Sequence, residues 1–103
     1  MKTLMIAKYE DIPKNFTGIV EWASDGSKYW YKEGNKHRED GPAIEYLSGY
    51  KQWWLEGKFY PKINLENYVV LDHNRGKYGI MWYRILDKNE IFEYPDIPGL
   101  IEK

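Results

Sequence analysis

The residues that could carry acid–base or metal chemistry are few and poorly spaced for it. The chain has two histidines, His37 and His73, and no cysteine. Nucleophilic catalysis needs a histidine with a hydroxyl or thiol and an orienting carboxylate, and only His37, with Asp40 close by, offers part of that set. Two histidines about 36 residues apart match no metal-ligand spacing. We therefore expect no catalytic residue, no metal and no cofactor, and we interpret His37 as a packed, locally hydrogen-bonded ring.

Aromatic rings interleaved with cations are the stronger candidate for a binding site. Trp, Tyr and Phe make up 17 % of the chain, and they cluster around residues 28–32 and 50–54. Exposed rings can anchor a protein interface or stack on bases. The predicted partner-binding residues are Tyr29, Tyr31, Tyr50, Trp54, Lys28, Lys51 and Arg38.

Charge decides which partner these rings favour. The net charge is −1, and residues 25–40 contain four basic side chains against four acidic ones, so no basic stripe is present. Strong electrostatic capture of nucleic acid is not expected from this balance. A protein partner is therefore the leading hypothesis, a single-stranded nucleic acid is the alternative, and an enzyme that uses His37 with Asp40 comes third.

Length and composition predict one domain that covers residues 1–103. No apolar run approaches the length of a membrane span, so no membrane partner is expected. The absence of cysteine excludes a disulfide framework and favours a cytoplasmic location. A homodimer through the sheet edges remains open.

An internal repeat supplies the elements that must position these residues. Residues 19–34 align with residues 43–57 with one deletion, and Trp30 and Trp53 occupy equivalent positions. Each copy predicts a β-hairpin, with its turn at Asp25-Gly26 or at Ser48-Gly49. The repeat units extend over about residues 18–41 and 42–60. Alternation alone does not decide which face is the core, and we expect Trp30 and Trp53 to point inward.

The segment from Trp30 to Ala43 resembles the W-Y-x-x-G-x-x-H-R-x-D-G-P-A units of variant MORN-type repeats. The resemblance covers about residues 18–60, and the second copy departs from it after Gly57. Proteins of this kind are often small and phage-encoded. The resemblance implies stacked antiparallel hairpins, a short helix after the last unit and no particular reaction.

The flanks complete the predicted fold. Residues 4–9, 80–86 and 91–94 are typical of strands. Asn64 could cap a short helix near residues 64–72, although Val69-Val70 suits a strand equally well. The fold class is therefore mainly β, an antiparallel sheet of repeat hairpins with terminal strands and one short helix, and residues 61–103 are expected to cover the hairpins. The expected function is non-enzymatic binding of another protein, as a phage-encoded inhibitor or modulator of a host factor.

Overall fold

The computed structural model describes residues 1–61 and 67–96. The chain divides into two compact units, Met1–Pro61 and Lys62–Lys103. The predicted mainly β architecture with antiparallel sheets is confirmed. That residues 1–103 form one domain, with residues 61–103 as cover, stays a prediction.

Seven strands form the sheet of the first unit. They are β1 (Thr3–Ile6), β2 (Gly18–Trp22), β3 (Lys28–Lys32), β4 (Asn35–Lys36), β5 (Ile44–Glu45), β6 (Lys51–Leu55) and β7 (Lys58–Tyr60). The order is β1-β2-β3-β5-β6-β7, with β4 also paired to β3. β1 runs parallel to β2, and all the other pairs are antiparallel.

Both predicted hairpins form, and local polar groups hold their turns. In the turn between β2 and β3, the backbone N–H and the hydroxyl of Ser27 both donate to Asp25 Oδ1, at 2.9 and 2.6 Å. These two hydrogen bonds lower the pKa of the Asp25 carboxyl below its usual value. In the turn between β5 and β6, Gly49 adopts a φ of +97°, and its N–H donates to the carbonyl of Tyr46 at 2.9 Å.

Two Glu-Gly turns follow the hairpins at equivalent positions. Glu33 and Gly34 connect β3 to β4 with φ values of +49° and +84°, and Glu56 and Gly57 connect β6 to β7 with φ values of +55° and +79°. Positive φ at both central residues is what a two-residue type I′ hairpin turn requires. The two copies therefore share their backbone conformation at this point as well as their sequence.

The core of the first unit lies on the side of the sheet that carries Val20 and Tyr31. Ile6, Phe16, Val20 and Tyr31 form a buried cluster, and Ile12 packs against it from the segment between β1 and β2. Residues paired directly across a sheet point to the same face, and neighbours along a strand point to opposite faces. The pairs Val20 with Tyr29 and Tyr29 with Ile44 extend this face across the sheet to β5.

The prediction that Trp30 points into the core is wrong, because the core lies on the side of its neighbour Tyr31. That Trp53 points into the core stays a prediction. Both indoles are half-buried, whereas Tyr31, the neighbour of Trp30, is only 6 % exposed. The segment that contains Ile12 and Phe16 covers the Tyr31 side of the sheet and so makes that side the core. Trp53 shares the opposite side with buried Leu55, so that side is partly packed as well.

The second unit is a three-stranded antiparallel meander. Its strands are β8 (Val69–Arg75), β9 (Met81–Asp87) and β10 (Glu90–Pro95), in the order β10-β9-β8. Ile85 and Tyr94 form its buried cluster, with Tyr68, Tyr83 and Phe92 packed against them.

The predicted helix near residues 64–72 is wrong where the structure describes it. Residues 64–66 lie outside the described residues, whereas Val69 and Val70 begin β8 and pair with Leu86 and Ile85. β-branched side chains fit a pleated sheet once a partner strand is present, and β9 is that partner. The helical structure in the described residues is a 3-10 turn at Tyr9–Asp11.

Candidate functional site

An aromatic surface lies on the Tyr29 side of the first unit, next to the buried core cluster, against which Tyr29 itself packs. We define it as the rings of Tyr29, Tyr46, Tyr50, Trp54 and Phe59 together with the side chain of Lys36. The Tyr29 and Tyr46 ring centroids are 6.2 Å apart, edge to face, and the Tyr46 and Tyr50 rings stack at 5.7 Å. Trp54 and Phe59 meet edge to face at 5.7 Å. Tyr50 and Phe59 are the most open of these rings, at 60 % and 47 % exposure.

The strand register explains why these rings meet. Ile44 pairs with Gln52, so Trp54, two residues further along β6, lies on the same face as Ile44 and Tyr29. Phe59 pairs with Trp54, and Lys36 pairs with Tyr31. Tyr46 and Tyr50 flank the second hairpin turn, where the N–H of Tyr46 donates to the carbonyl of Tyr50 at 2.9 Å.

Lys36 joins the two groups of rings. Its Nζ lies 4.5 Å from the centroid of the Trp54 ring and 5.9 Å from that of Tyr29, within cation–π range. Burial, together with a hydrogen bond to Tyr46, raises the pKa of the Tyr29 hydroxyl above its usual range. Tyrosine is neutral at physiological pH even without this shift, so Lys36 is the charged side chain of this surface.

The two faces of this sheet differ sharply in charge. By register and alternation, Lys36 is the one charged residue that strands β1 to β7 direct to the aromatic side. The same strands direct six charged residues to the other side, namely Glu21, Lys28, Lys32, Glu45, Lys51 and Lys58. The aromatic surface is thus an apolar area with a single cation, on a chain whose other sheet face is highly charged.

The structure divides the predicted partner-binding residues. Tyr29, Tyr50 and Trp54 belong to the aromatic surface, and that they bind a partner stays a prediction. The prediction that Tyr31 is an exposed anchor is wrong, because its ring lies in the core and burial raises the pKa of its hydroxyl to about 12. Lys28 pairs with Glu21 and Glu45 on the opposite face, and so does not accompany the rings.

Lys51 and Arg38 also lie away from the aromatic surface. Lys51 pairs with Glu45 on the charged face. The Arg38 guanidinium lies 4.1 Å from the centroid of Trp30, and its Nε donates to Asp40 Oδ1 at 2.9 Å. Its Nη1 donates to Glu45 Oε2 and to the carbonyl of Pro42, both at 3.1 Å. Arg38 therefore fastens the loop between β4 and β5 to the sheet.

Three members of the aromatic surface, Tyr46, Phe59 and Lys36, were missed by sequence reasoning. Tyr46 aligns with Trp22 in the internal repeat, and Trp22 packs edge to face on Tyr29 at 5.7 Å, so the alignment carried a signal for Tyr46. Phe59 and Lys36 depend on the pairing of β7 with β6 and of β4 with β3, and their sequence neighbours do not reveal that pairing.

His37 is packed and hydrogen-bonded at both ring nitrogens. Nδ1 accepts the backbone N–H of Glu56 at 2.9 Å, so Nε2 carries the proton and donates to Glu39 Oε2 at 3.0 Å. Asp40 pairs with Arg38, which lowers the pKa of its carboxyl below the usual value. An acid–base pair of His37 with Asp40 is therefore not assembled in this arrangement.

A cavity of about 450 Å³ opens beside His37 and Trp30. Its lining combines the Trp30 ring with charged side chains of both signs, among them Lys32, Glu33, Arg38 and Glu39. The Glu39 and Arg38 side chains already hold the hydrogen bonds described above. The cavity has no ring cluster comparable with the aromatic surface.

The remaining candidates offer little chemistry. His73 lies exposed on β8, with the Tyr83 ring 6.2 Å away. Across residues 1–61 and 67–96, no group of three or more His, Cys, Asp and Glu side chains is arranged to hold a metal ion. Within those residues, no helix has the length and hydropathy needed to cross a membrane.

Comparison of the chain with protein-family models, with curated proteins and with solved structures found no match.

Proposed function

We propose that this chain is a non-enzymatic binding protein that holds another protein through the aromatic surface. The observation that carries the proposal is the difference in charge between the two faces of the first sheet. One face carries a cluster of exposed and half-buried rings around a single cation, and the other face carries six charged residues. Contiguous exposed apolar area on a small protein is typical of an interaction site. Tyr and Trp are also the residue types that most often dominate the energy of protein interfaces.

The rings are also pre-organised for binding. Tyr29, Tyr46 and Tyr50 contact one another in sequence, and Trp54 is flanked by Phe59 and Lys36. Side chains that are already fixed in the free protein lose less conformational entropy when a partner binds. A partner can therefore bind this surface with higher affinity than the contact area alone would provide.

The resemblance to variant MORN-type repeats supports a more specific version of this proposal. It implies a small phage-encoded accessory protein, which would act by inhibiting or redirecting a host factor. We expect the encounter in the cytoplasm, because the chain contains no cysteine.

A single-stranded nucleic acid is the less favoured partner. Rings that stack on bases usually work beside several cations that contact the phosphates. Here Lys36 is the one cation that strands β1 to β7 direct to the aromatic side, and Lys28 and Lys51 point to the other side.

The proposal is tested by affinity capture with matched variants. The full chain, the double variant Tyr50→Ser/Trp54→Ser and the control Lys28→Ser/Lys51→Ser are each used to capture proteins from a lysate of the host cell. Circular dichroism and urea unfolding establish that each variant is folded. We expect one partner to be retained by the parent chain and the lysine control but lost by the ring variant.

Two results would count against the proposal. One is capture that survives the Tyr50→Ser/Trp54→Ser change in a folded protein. The other is a captured complex that dissociates after nuclease treatment or weakens about tenfold or more between low and physiological salt, which indicates phosphate contacts.

A further inference from the structure

Resting on the proposed function, we infer that the partner segment on the aromatic surface carries a carboxylate that pairs with Lys36. The segment we assign to this surface is a polypeptide stretch in which Asp or Glu stands beside apolar or proline residues. The apolar residues lie on the Tyr50, Trp54 and Phe59 rings, and the carboxylate accepts hydrogen bonds from Lys36 Nζ.

The first argument is that Lys36 has no counter-ion in the described part of the chain. Its ammonium contacts the Trp54 and Tyr29 rings, at 4.5 and 5.9 Å from their centroids, and no ion pair joins it to a described carboxylate. Its cross-strand partner is Tyr31, whose hydroxyl is neutral at physiological pH, as tyrosine ordinarily is, and so supplies no negative charge. Among residues 1–61 and 67–96, no carboxylate therefore compensates the positive charge of this surface.

The second argument is a contrast within the same sheet. Lys28 on the opposite face pairs across the strands with Glu21 and Glu45, and Lys51 pairs with Glu45. Opposite charges placed directly across neighbouring strands stabilise a sheet. Lysines on the charged face thus have carboxylates as neighbours, whereas the lysine on the aromatic face has rings.

The third argument is the desolvation that binding imposes. A purely apolar partner seated on Tyr50, Trp54 and Phe59 would remove water from the ammonium of Lys36, a half-buried residue, and leave that charge unpaired. A carboxylate on the partner offsets that loss with a charge-assisted hydrogen bond. The methylene stem of Lys36 can stay against the Trp54 ring while Nζ turns to the carboxylate.

The inference is tested with a library of short randomised peptides displayed for selection on the folded full chain. The same library is selected on Lys36→Gln, on Lys36→Glu and on Lys28→Glu, the last being a control on the charged face. We expect the parent chain and the Lys28→Glu control to enrich Asp or Glu beside apolar or proline residues. Lys36→Gln should keep the apolar preference and lose the acidic one, and Lys36→Glu should select Lys or Arg instead.

Synthetic peptides with sequences from the parent selection are then used to measure binding affinities. Tryptophan fluorescence titration should show at least about tenfold weaker binding to Lys36→Gln and near-parent binding to Lys36→Arg. Acidic enrichment that is absent from the parent selection, or unchanged by Lys36→Glu, overturns the inference. The inference is also overturned if a labelled oligothymidylate binds the parent chain more tightly than any selected peptide does and if Lys36→Gln no longer binds that oligothymidylate.

Failure of the inference and failure of the proposed function give different results. If peptides bind through Tyr50 and Trp54 without any dependence on Lys36, the inference falls and the proposed function stands. If no selected peptide depends on Tyr50 and Trp54, both fall.

Discussion

The imidazole Nδ1 of His37 accepts the backbone N–H of Glu56 at 2.9 Å, which ties the segment after β4 to the Glu-Gly turn of the second hairpin copy. One copy earlier, the hydroxyl of Thr17 accepts the backbone N–H of Glu33 at 2.9 Å. Glu33 and Glu56 occupy equivalent turn positions with similar positive φ values. Two different side chains therefore serve the same structural purpose, one in a buried setting and one in an exposed setting.

Replacing His37 should cost more stability than replacing Thr17. His37→Ala leaves the buried N–H of Glu56 without this acceptor and removes a packed ring, so we expect a loss of about 2–3 kcal/mol in the free energy of unfolding. Thr17→Val removes an exposed acceptor whose donor can turn to water, and it should cost less than about 1 kcal/mol. Urea unfolding of both variants measures the difference, and equal losses would contradict this view of His37.

Gly18 lies where no side chain fits. A Cβ at this position would lie 2.4 Å from the carbonyl oxygen of Lys2 and 2.7 Å from Cζ of Phe16, and the φ of +149° is unfavourable for other residues. Gly18→Ala should therefore destabilise by about 3 kcal/mol or more, because β1 or the Phe16 ring must move. Gly49→Ala is the matched control.

At Gly49 the φ is +97°, and a Cβ would meet nothing within 4 Å. Gly49→Ala should therefore lower the free energy of unfolding by the backbone strain alone, about 1 kcal/mol. Thermal unfolding of the two variants checks the prediction. A Gly18→Ala protein as stable as the Gly49→Ala protein would show that the N-terminal strand does not pack as described.

Tyr31 should tolerate the loss of its hydroxyl but not of its ring. Its Oη is buried and has no hydrogen-bond partner among the described residues. Tyr31→Phe removes a desolvated polar group. At neutral pH we therefore expect the free energy of unfolding to rise by between zero and about 1 kcal/mol. Tyr31→Ser should destabilise by about 3 kcal/mol through the cavity it leaves. Denaturant unfolding distinguishes these outcomes from those of an exposed tyrosine, where both changes would be nearly neutral.

The buried hydroxyl of Tyr31 also makes the free energy of unfolding depend on pH in the alkaline range. Burial raises the pKa of its hydroxyl from 10.0 to about 12, so folding disfavours the phenolate. The stabilisation linked to this shift is complete below pH 10 and is lost as the pH rises through about 12. The stability advantage of Tyr31→Phe should therefore widen by about 1–3 kcal/mol over this range. Urea unfolding at neutral and at alkaline pH measures it, and a constant difference would refute the assignment.

Glu33 is a poor residue for its backbone conformation. It is exposed with a φ of +49°, and the first residue of a type I′ turn favours Asn, Asp or Gly. Glu33→Asn should stabilise the protein by about 0.5–1 kcal/mol, whereas Glu33→Val should destabilise it by a similar or larger amount. Both variants keep the N–H bond to Thr17. A melting temperature that falls in Glu33→Asn would argue against this turn type.

The hairpins, their turns and the chemistry of their rings could be predicted from the sequence. The turn conformations depend on residues that are close together in the chain, so the local sequence contains the necessary information. These turns lie at Asp25-Gly26, at Ser48-Gly49 and at the two Glu-Gly pairs. The same reasoning failed for residues 67–72, the described part of the predicted helix, where Val69 and Val70 are compatible with helix and strand. Pairing with β9, a segment distant in the chain, selected the strand for them.

What the sequence alone determined is that this chain forms antiparallel hairpins with tyrosine and tryptophan on both faces. Only the tertiary structure decided which rings are buried, because alternation is symmetric between two faces that both carry rings. Phe16 and Ile12 pack in the core cluster that contains Tyr31, Trp54 does not belong to that cluster, and the register of β4 brings Lys36 next to the Trp54 ring. Burial of this kind depends on contacts between segments far apart in the chain, which no local pattern encodes.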